Sequence, residues 1–308
     1  MNELLPWILF NLFILVMLVL DLFVFHKEAR KVDIREAILW SIFWVSLSLI
    51  FNLYIYYARG QEQALAFLTG YIIEKSLSVD NLFVFLLIFN YFKTPASSLH
   101  KVLFWGVFSA ILMRALFIWL GIGLINQFHW IIYIFGLFLI FTGIKLGFQK
   151  DQKIDPEKNI ILRLVRRIIP ITKDYVDNKF FVLKNAKYFA TPLFLVLIAI
   201  ETTDLIFAFD SIPAILAITR EPFIVYTSNI FAILGLRSLY FVLAHAMGLF
   251  HYLHYALAFI LTFIGFKMLI SEFFKIPVGF ALGIVFMALF LSVVTSVLFS
   301  DTIKMNKG

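Results

Sequence analysis

The sequence predicts an all-α, polytopic membrane protein of about nine transmembrane helices, six of them forming an inverted three-helix repeat. Three observations carry that prediction. Hydrophobic residues make up 62% of the 308-residue chain and charged residues only 15%, against roughly 45–50% and about a quarter in soluble domains. Nine stretches of the chain reach the length of about 20 apolar residues that a helix needs to cross the hydrocarbon core. Ionisable residues recur at matching intervals inside those stretches, although each costs at least about 2.5–3.5 kcal/mol at a helix centre.

Taken in order, the stretches run from Leu4 to Phe25, Ile38 to Tyr57, Ala64 to Phe92, Leu99 to Leu124, Trp130 to Phe148, Phe189 to Ala217, Phe223 to His245, Tyr252 to Ser271 and Val278 to Phe299. The first has no basic residue before it and no small-residue cleavage site after it, so it is expected to remain as a helix rather than be removed as a signal peptide. The chain accordingly divides into two N-terminal helices (1–60), a first repeat (61–149), a basic linker (150–188), a second repeat (189–272) and a last helix with its tail (273–308). The linker holds ten Lys and Arg between Lys150 and Lys187, broken by Pro156 and Pro170. It reads as a solvated cytoplasmic segment with some amphipathic helix.

Assigning the loops to alternate sides gathers eighteen Lys and Arg on one side and leaves Arg59, Arg220 and Lys275 on the other. The positive-inside rule then places the N-terminus outside and the C-terminus in the cytoplasm. The net charge of +7 is explained by these loops and implies anionic lipid, not nucleic acid, as its partner. No cysteine is present, so a bound metal would need oxygen or imidazole ligands.

The repeat is carried by charged positions. Asp80 in Asp80-Asn81-Leu82-Phe83 matches Asp204 in Asp204-Leu205-Ile206-Phe207; Arg114 matches Arg237; Lys145 matches Lys267, at offsets of 124, 123 and 122. A three-span unit in tandem enters the membrane with opposite orientations, the plan of many secondary transporters, whose sites sit near the midplane on interrupted helices. The lead spans of the two units are 29 residues each. Pro213 removes a hydrogen bond to Phe209, so the second lead span is expected to kink or open beside Asp210.

Asp21, Glu74, Asp80, Glu201, Asp204 and Asp210 lie inside apolar spans, with Ser76, Ser78, Asn81, Thr202, Thr203 and Ser211. Glu74, Ser78 and Asn81 share one helical stripe, and Glu201, Asp204 and Ser211 another. Placing Asp80 and Asp204 as mates at the midplane gives two tiers. Asp80, Asp204 and Glu201 form the lower one; Glu74 and Asp210 stand about 9 Å further out. Arg114 and Arg237 are candidate counter-ions for Asp80 and Asp204, and lysines near span ends are expected to snorkel. An all-oxygen site of this kind suits Mn²⁺, Mg²⁺ or Ca²⁺, and a proton relay is the competing use. Asp21, near His26 and Lys27, reads equally as an interfacial cap or part of an ion route. His245, His251 and His254 read as interfacial.

The segments Glu74-Lys-Ser-Leu-Ser-Val-Asp80-Asn81, Glu201-Thr-Thr-Asp204 and Phe207-Ala-Phe-Asp210-Ser211-Ile-Pro213-Ala resemble the acidic motifs of the TerC family. Asp21 to Lys27 and Trp40 to Trp44 look like its Alx branch, and the similarity runs from Asp21 to Phe299. The resemblance implies a bacterial inner-membrane exporter of Mn²⁺, historically associated with tellurite resistance. Metal-site roles carry over to Glu74, Asp80, Asn81, Asp204 and Asp210, with Ser78 and Ser211 behind them; Glu201 is added from the helix-face argument. The alternative is a membrane-embedded stress-response or assembly factor whose carboxylates are structural. No zinc-protease pattern of His, Glu and Asp occurs, and enzymatic activity is not expected.

Overall fold

The computed structural model describes residues 4–25, 33–128, 130–148, 159–184, 187–246, 252–271 and 273–305. Among them are eleven α helices and one antiparallel hairpin: α1 (Leu4–Phe25), α2 (Ile34–Arg59), α3 (Gln61–Tyr91), α4 (Ala96–Gln127), α5 (Ile131–Phe148), α6 (Ile160–Ile168), β1 (Phe181–Lys184), β2 (Lys187–Ala190), α7 (Pro192–Leu216), α8 (Pro222–Ile233), α9 (Leu236–Ala246), α10 (Leu253–Leu269) and α11 (Val278–Met305). Each predicted span falls on one helix, or on the α8–α9 pair. By length and apolarity α2, α4, α5, α7 and α11 can each cross a membrane, and α8–α9 makes a sixth if it is one bent span. The apolar stretches Leu4–Leu20 and Leu253–Leu269 are shorter. Helix dominates because a bilayer offers no water to bond to backbone groups, so each span must satisfy its own.

Large apolar side chains such as Leu39, Ile50, Trp119, Phe141 and Phe290 cover the outside, as a lipid solvent requires. The interior is built on α3, α7 and α8. Every residue of α8 from Phe223 to Ile233 is buried, which marks a helix enclosed on all sides. Around it, α3 packs on α7 and α8, α4 packs on α7 and α8, and α5 packs on α10. Glycines set the last contact. A Cβ on Gly136 would lie 3.1 Å from the Gly265 carbonyl oxygen, and one on Gly265 would lie 2.6 Å from that of Gly136. One on Gly143 would lie 2.7 Å from the Ala258 carbonyl oxygen. Rising numbers on α5 thus meet falling numbers on α10, so the two helices are antiparallel, and small residues let their backbones touch.

Contacts between connections sort the ends of the bundle. Arg59 at the end of α2 lies 3.1 Å from Glu221 before α8, with its guanidinium over Phe223. At the other end the linker docks on the α3–α4 turn: Ser98 Oγ donates to Asn178 Oδ1 at 2.6 Å, Tyr175 OH to the Phe92 carbonyl at 2.8 Å, and Lys101 lies over the Phe180 ring. The linker contains the expected amphipathic helix, α6, capped by the Asn159 side chain and carrying exposed Arg163, Arg166 and Arg167. Its β1–β2 hairpin was not expected, and it delays the start of α7 from Phe189 to Pro192.

The expected opening of α7 and the expected snorkelling of span-end lysines are corrected. α7 runs through Pro213 to Leu216 without opening. The missing hydrogen bond lies in the last turn, and burial of every residue from Ser211 to Leu216 holds the helix together. The break occurs in the next span, where α8 and α9 are bent by 44°. Gly235 at this break has φ +80°, a left-handed conformation that glycine adopts at no steric cost. The ring of Trp44 lies 2.7 Å from where its Cβ would be. Lys75 Nζ donates to the carbonyls of Ala232 at 3.1 Å and Leu234 at 3.2 Å, satisfying acceptors that a broken helix leaves without partners. Lys267 likewise donates to Ala217 O at 2.6 Å, capping the end of α7. Both lysines therefore turn inward, whereas Lys145 is exposed.

Candidate cation site between α3, α4 and α7

The Glu74, Ser78 and Asn81 stripe is buried on α3, with relative exposures of 1%, 0% and 3%. Ser78 Oγ donates to Glu74 Oε1 at 3.4 Å. Across from it, Arg114 of α4 is 1% exposed and forms an ion pair with Glu74 through Nη1. The same guanidinium lies 3.9 Å from Asp204 Oδ1 of α7. Its Nη1 also donates to Ser211 Oγ and to Asn229 Oδ1, each at 3.0 Å. Asn81 faces Asp204. Four helices thus converge on one buried guanidinium, and Glu74 Oε2 and Arg114 Nε remain without hydrogen-bond partners.

This arrangement replaces the two-tier scheme. Glu74 and Asp204, assigned to different tiers, lie beside one guanidinium. The scheme took mates to lie at equal depth on evenly disposed helices, whereas one unit has an unbroken α4 and the other a broken α8–α9. Of the carboxylates suggested for it, Arg114 lies beside Asp204, and its ion pair is with Glu74, which was not suggested. Asp210 faces Thr142 and Lys145 of α5, away from Glu74. Glu201 is half-buried, accepts a hydrogen bond from Ser109 of α4, and keeps Oε2 without a partner. Asp80 is half-buried, and Arg237 is 3% exposed in the first turn of α9.

Ser76, Thr202 and Thr203 bond back to carbonyls of their own helices at 2.6–2.8 Å, so their polarity is spent locally. Sequence reasoning missed Asn229 and Ser109. The polar run Thr227-Ser228-Asn229 inside an apolar span was the available signal for Asn229. The side chains of Asp21, His26, Lys27 and His251 lie outside the described residues.

Among the described residues, no three His, Asp or Glu side chains converge closely enough to hold a metal ion. The oxygen donors that do converge are two carboxylates, two amides and two hydroxyls: Glu74, Asp204, Asn81, Asn229, Ser78 and Ser211. These are hard ligands, and the unpartnered Glu74 Oε2 gives them unused acceptor capacity.

Such a fold and cluster define an integral, multi-pass helical membrane protein organised around a buried ion pair. Residues 59–307 match the profile of the integral membrane protein TerC family, and the chain belongs to that family. It is 48% identical to an uncharacterized membrane protein of Myxococcus xanthus over 95% of this chain and 92% of that protein. It is also 48% identical to the proposed membrane-bound redox modulator Alx of Escherichia coli (strain K12), over 91% of this chain and 90% of the relative. A membrane protein of Rickettsia bellii is 43% identical over 95% and 97% of the two chains. No solved structure matches.

Proposed function

We propose that the protein exports a hard divalent cation, Mn²⁺ foremost with Mg²⁺ and Ca²⁺ suited to the same donors, from the cytoplasm across the bacterial inner membrane. The observation that carries the reading is the meeting of Glu74 and Asp204, from two different helices, deep among apolar side chains. Two carboxylates sharing one counter-ion there leave an excess of negative charge, and intramembrane ionisable groups of this kind mark ion pathways. The order of acids along α7 supports a route: Glu201 nearer the linker, Asp204 at the cluster, Asp210 nearer the α7–α8 turn. Export against protons is the coupling this route would accommodate. The exchanged packing of α3 with α8, α4 with α7, and α5 with α10 supports the inverted repeat.

The second reading, a stress-response or assembly factor with structural carboxylates, is favoured by Arg114 itself, which neutralises much of the cluster. A redox role like that in the name of the relatives would not run through thiols of this chain, which has no cysteine.

Purified protein in liposomes separates the two. Wild type should carry Mn²⁺, and Glu74→Gln and Asp204→Asn should each reduce flux by about ten-fold or more, the equivalent of losing about 1.4 kcal/mol. Absence of wild-type flux of Mn²⁺, Mg²⁺ and Ca²⁺ would leave the structural reading in place.

A further inference from the structure

We propose that the Arg114 guanidinium is a tethered placeholder for the transported cation: it holds Glu74 and Asp204 when no ion is present, and a divalent cation displaces it. The inference rests on the transport reading and deepens it. A cation at Glu74 and Asp204 and a guanidinium at the same oxygens exclude each other by space and by like charge. The grip of the guanidinium is partial, because Asp204 is 3.9 Å away and Glu74 Oε2 has no partner. Neutral acceptors stand ready for it. Ser211 Oγ and Asn229 Oδ1 already accept from Nη1, and Asn229 is fixed with its oxygen toward Arg114 because its Nδ2 donates to the Val225 carbonyl at 2.9 Å. Nη1 carries two hydrogens for three acceptors, Glu74, Ser211 and Asn229, so a cation that takes the carboxylates leaves both hydrogens to the two neutral oxygens while Nη2 swings away from Asp204. On release of the ion it returns, so the buried acids are never left without a cation and the ion is driven off rather than trapped.

A placeholder competes with its ligand. Arg114→Gln should bind Mn²⁺ about ten-fold tighter than wild type in equilibrium dialysis and carry it more slowly in liposomes. In Arg114→Ala, millimolar guanidinium ion should weaken Mn²⁺ binding, and it should have no such effect on wild type. A measurement on wild type covers the case in which these variants do not fold. Infrared difference spectra of protein with isotope-labelled arginine guanidinium should shift on Mn²⁺ addition, and the shift should vanish in Glu74→Gln. Wild-type flux together with unchanged or weaker Mn²⁺ binding by Arg114→Gln, or with guanidinium bands that bound Mn²⁺ does not move, would overturn the placeholder and leave transport standing. Failure of wild type to bind or carry Mn²⁺ would instead remove the transport reading on which it rests.

Discussion

A guanidinium 1% exposed among hydrocarbon side chains has no water to replace a lost partner, and the same holds for the carboxylates it serves. Removing one member of such a group typically costs about 3–5 kcal/mol, because the remaining charge is left buried and uncompensated. Arg114→Leu should therefore lower thermal stability in detergent by an amount of that order, and adding Glu74→Leu should recover part of the loss. The double-mutant coupling energy read from the melting curves checks this; strictly additive losses would deny the pair. The Glu74, Ser78 and Asn81 stripe was legible in the sequence because helical spacing alone puts those side chains on one face. Glu74 as the ion-pair partner of Arg114 was not, since spacing along single helices says nothing of the angle at which α3, α4 and α7 cross. Asn229 escaped notice because a neutral amide raises no alarm in an apolar run, yet here it orients the charged group that bridges α3 and α7.

At the scale of the element, proline and glycine acted differently from their usual reading. Pro213 sits in the last turn of α7, where one absent N–H matters little beside complete burial of the neighbouring side chains. Pro213→Ala should raise the melting temperature slightly and leave ion flux within about two-fold of wild type; a large loss of flux would give Pro213 a direct part in transport. Gly235 in contrast makes the α8–α9 bend possible. An alanine there meets left-handed strain of about 1–2 kcal/mol together with the Trp44 ring, so Gly235→Ala should destabilise strongly. The second substitution Trp44→Ala should relieve only the part of the clash made by the ring, since the Trp44 Cβ at 2.8 Å remains, and none of the backbone strain, so a melting comparison of the single and double variants should show partial recovery. The sequence drew attention to Pro213 because proline is the conspicuous helix breaker, whereas a glycine needing positive φ looks like any other glycine until Trp44 and Lys75 are seen around it.

For the molecule as a whole, the α5–α10 contact bears on the proposed inverted repeat. Gly143 and Gly265 are mates at the same offset of 122 that relates Lys145 to Lys267, and Gly136 and Ala258 share that offset. Gly136 meets Gly265 while Gly143 meets Ala258, so each contact is the other with its units exchanged, as across a two-fold axis. α7 is long and apolar enough to cross the membrane, and a helix that crosses it has its two ends on opposite faces. The linker before α7 is tied to the α3–α4 turn through Asn178 and Tyr175, and the turn after α7 is tied to the α2–α3 connection through Glu221 and Arg59. With eighteen basic residues assigned to the linker side, that side is the cytoplasm in the proposed orientation. Since the chain has no cysteine, single substitutions report sidedness without background. Lys173→Cys and Arg220→Cys, both at exposed positions, should react with a membrane-impermeant maleimide from opposite sides: Arg220→Cys in intact cells, Lys173→Cys only in inverted vesicles. Labelling of both from one side would break the inverted repeat. An exchange of sides would keep the repeat but reverse the α7 route, from Glu201 at the cytoplasmic end to Asp210 at the outer end, and with it the proposed direction of export.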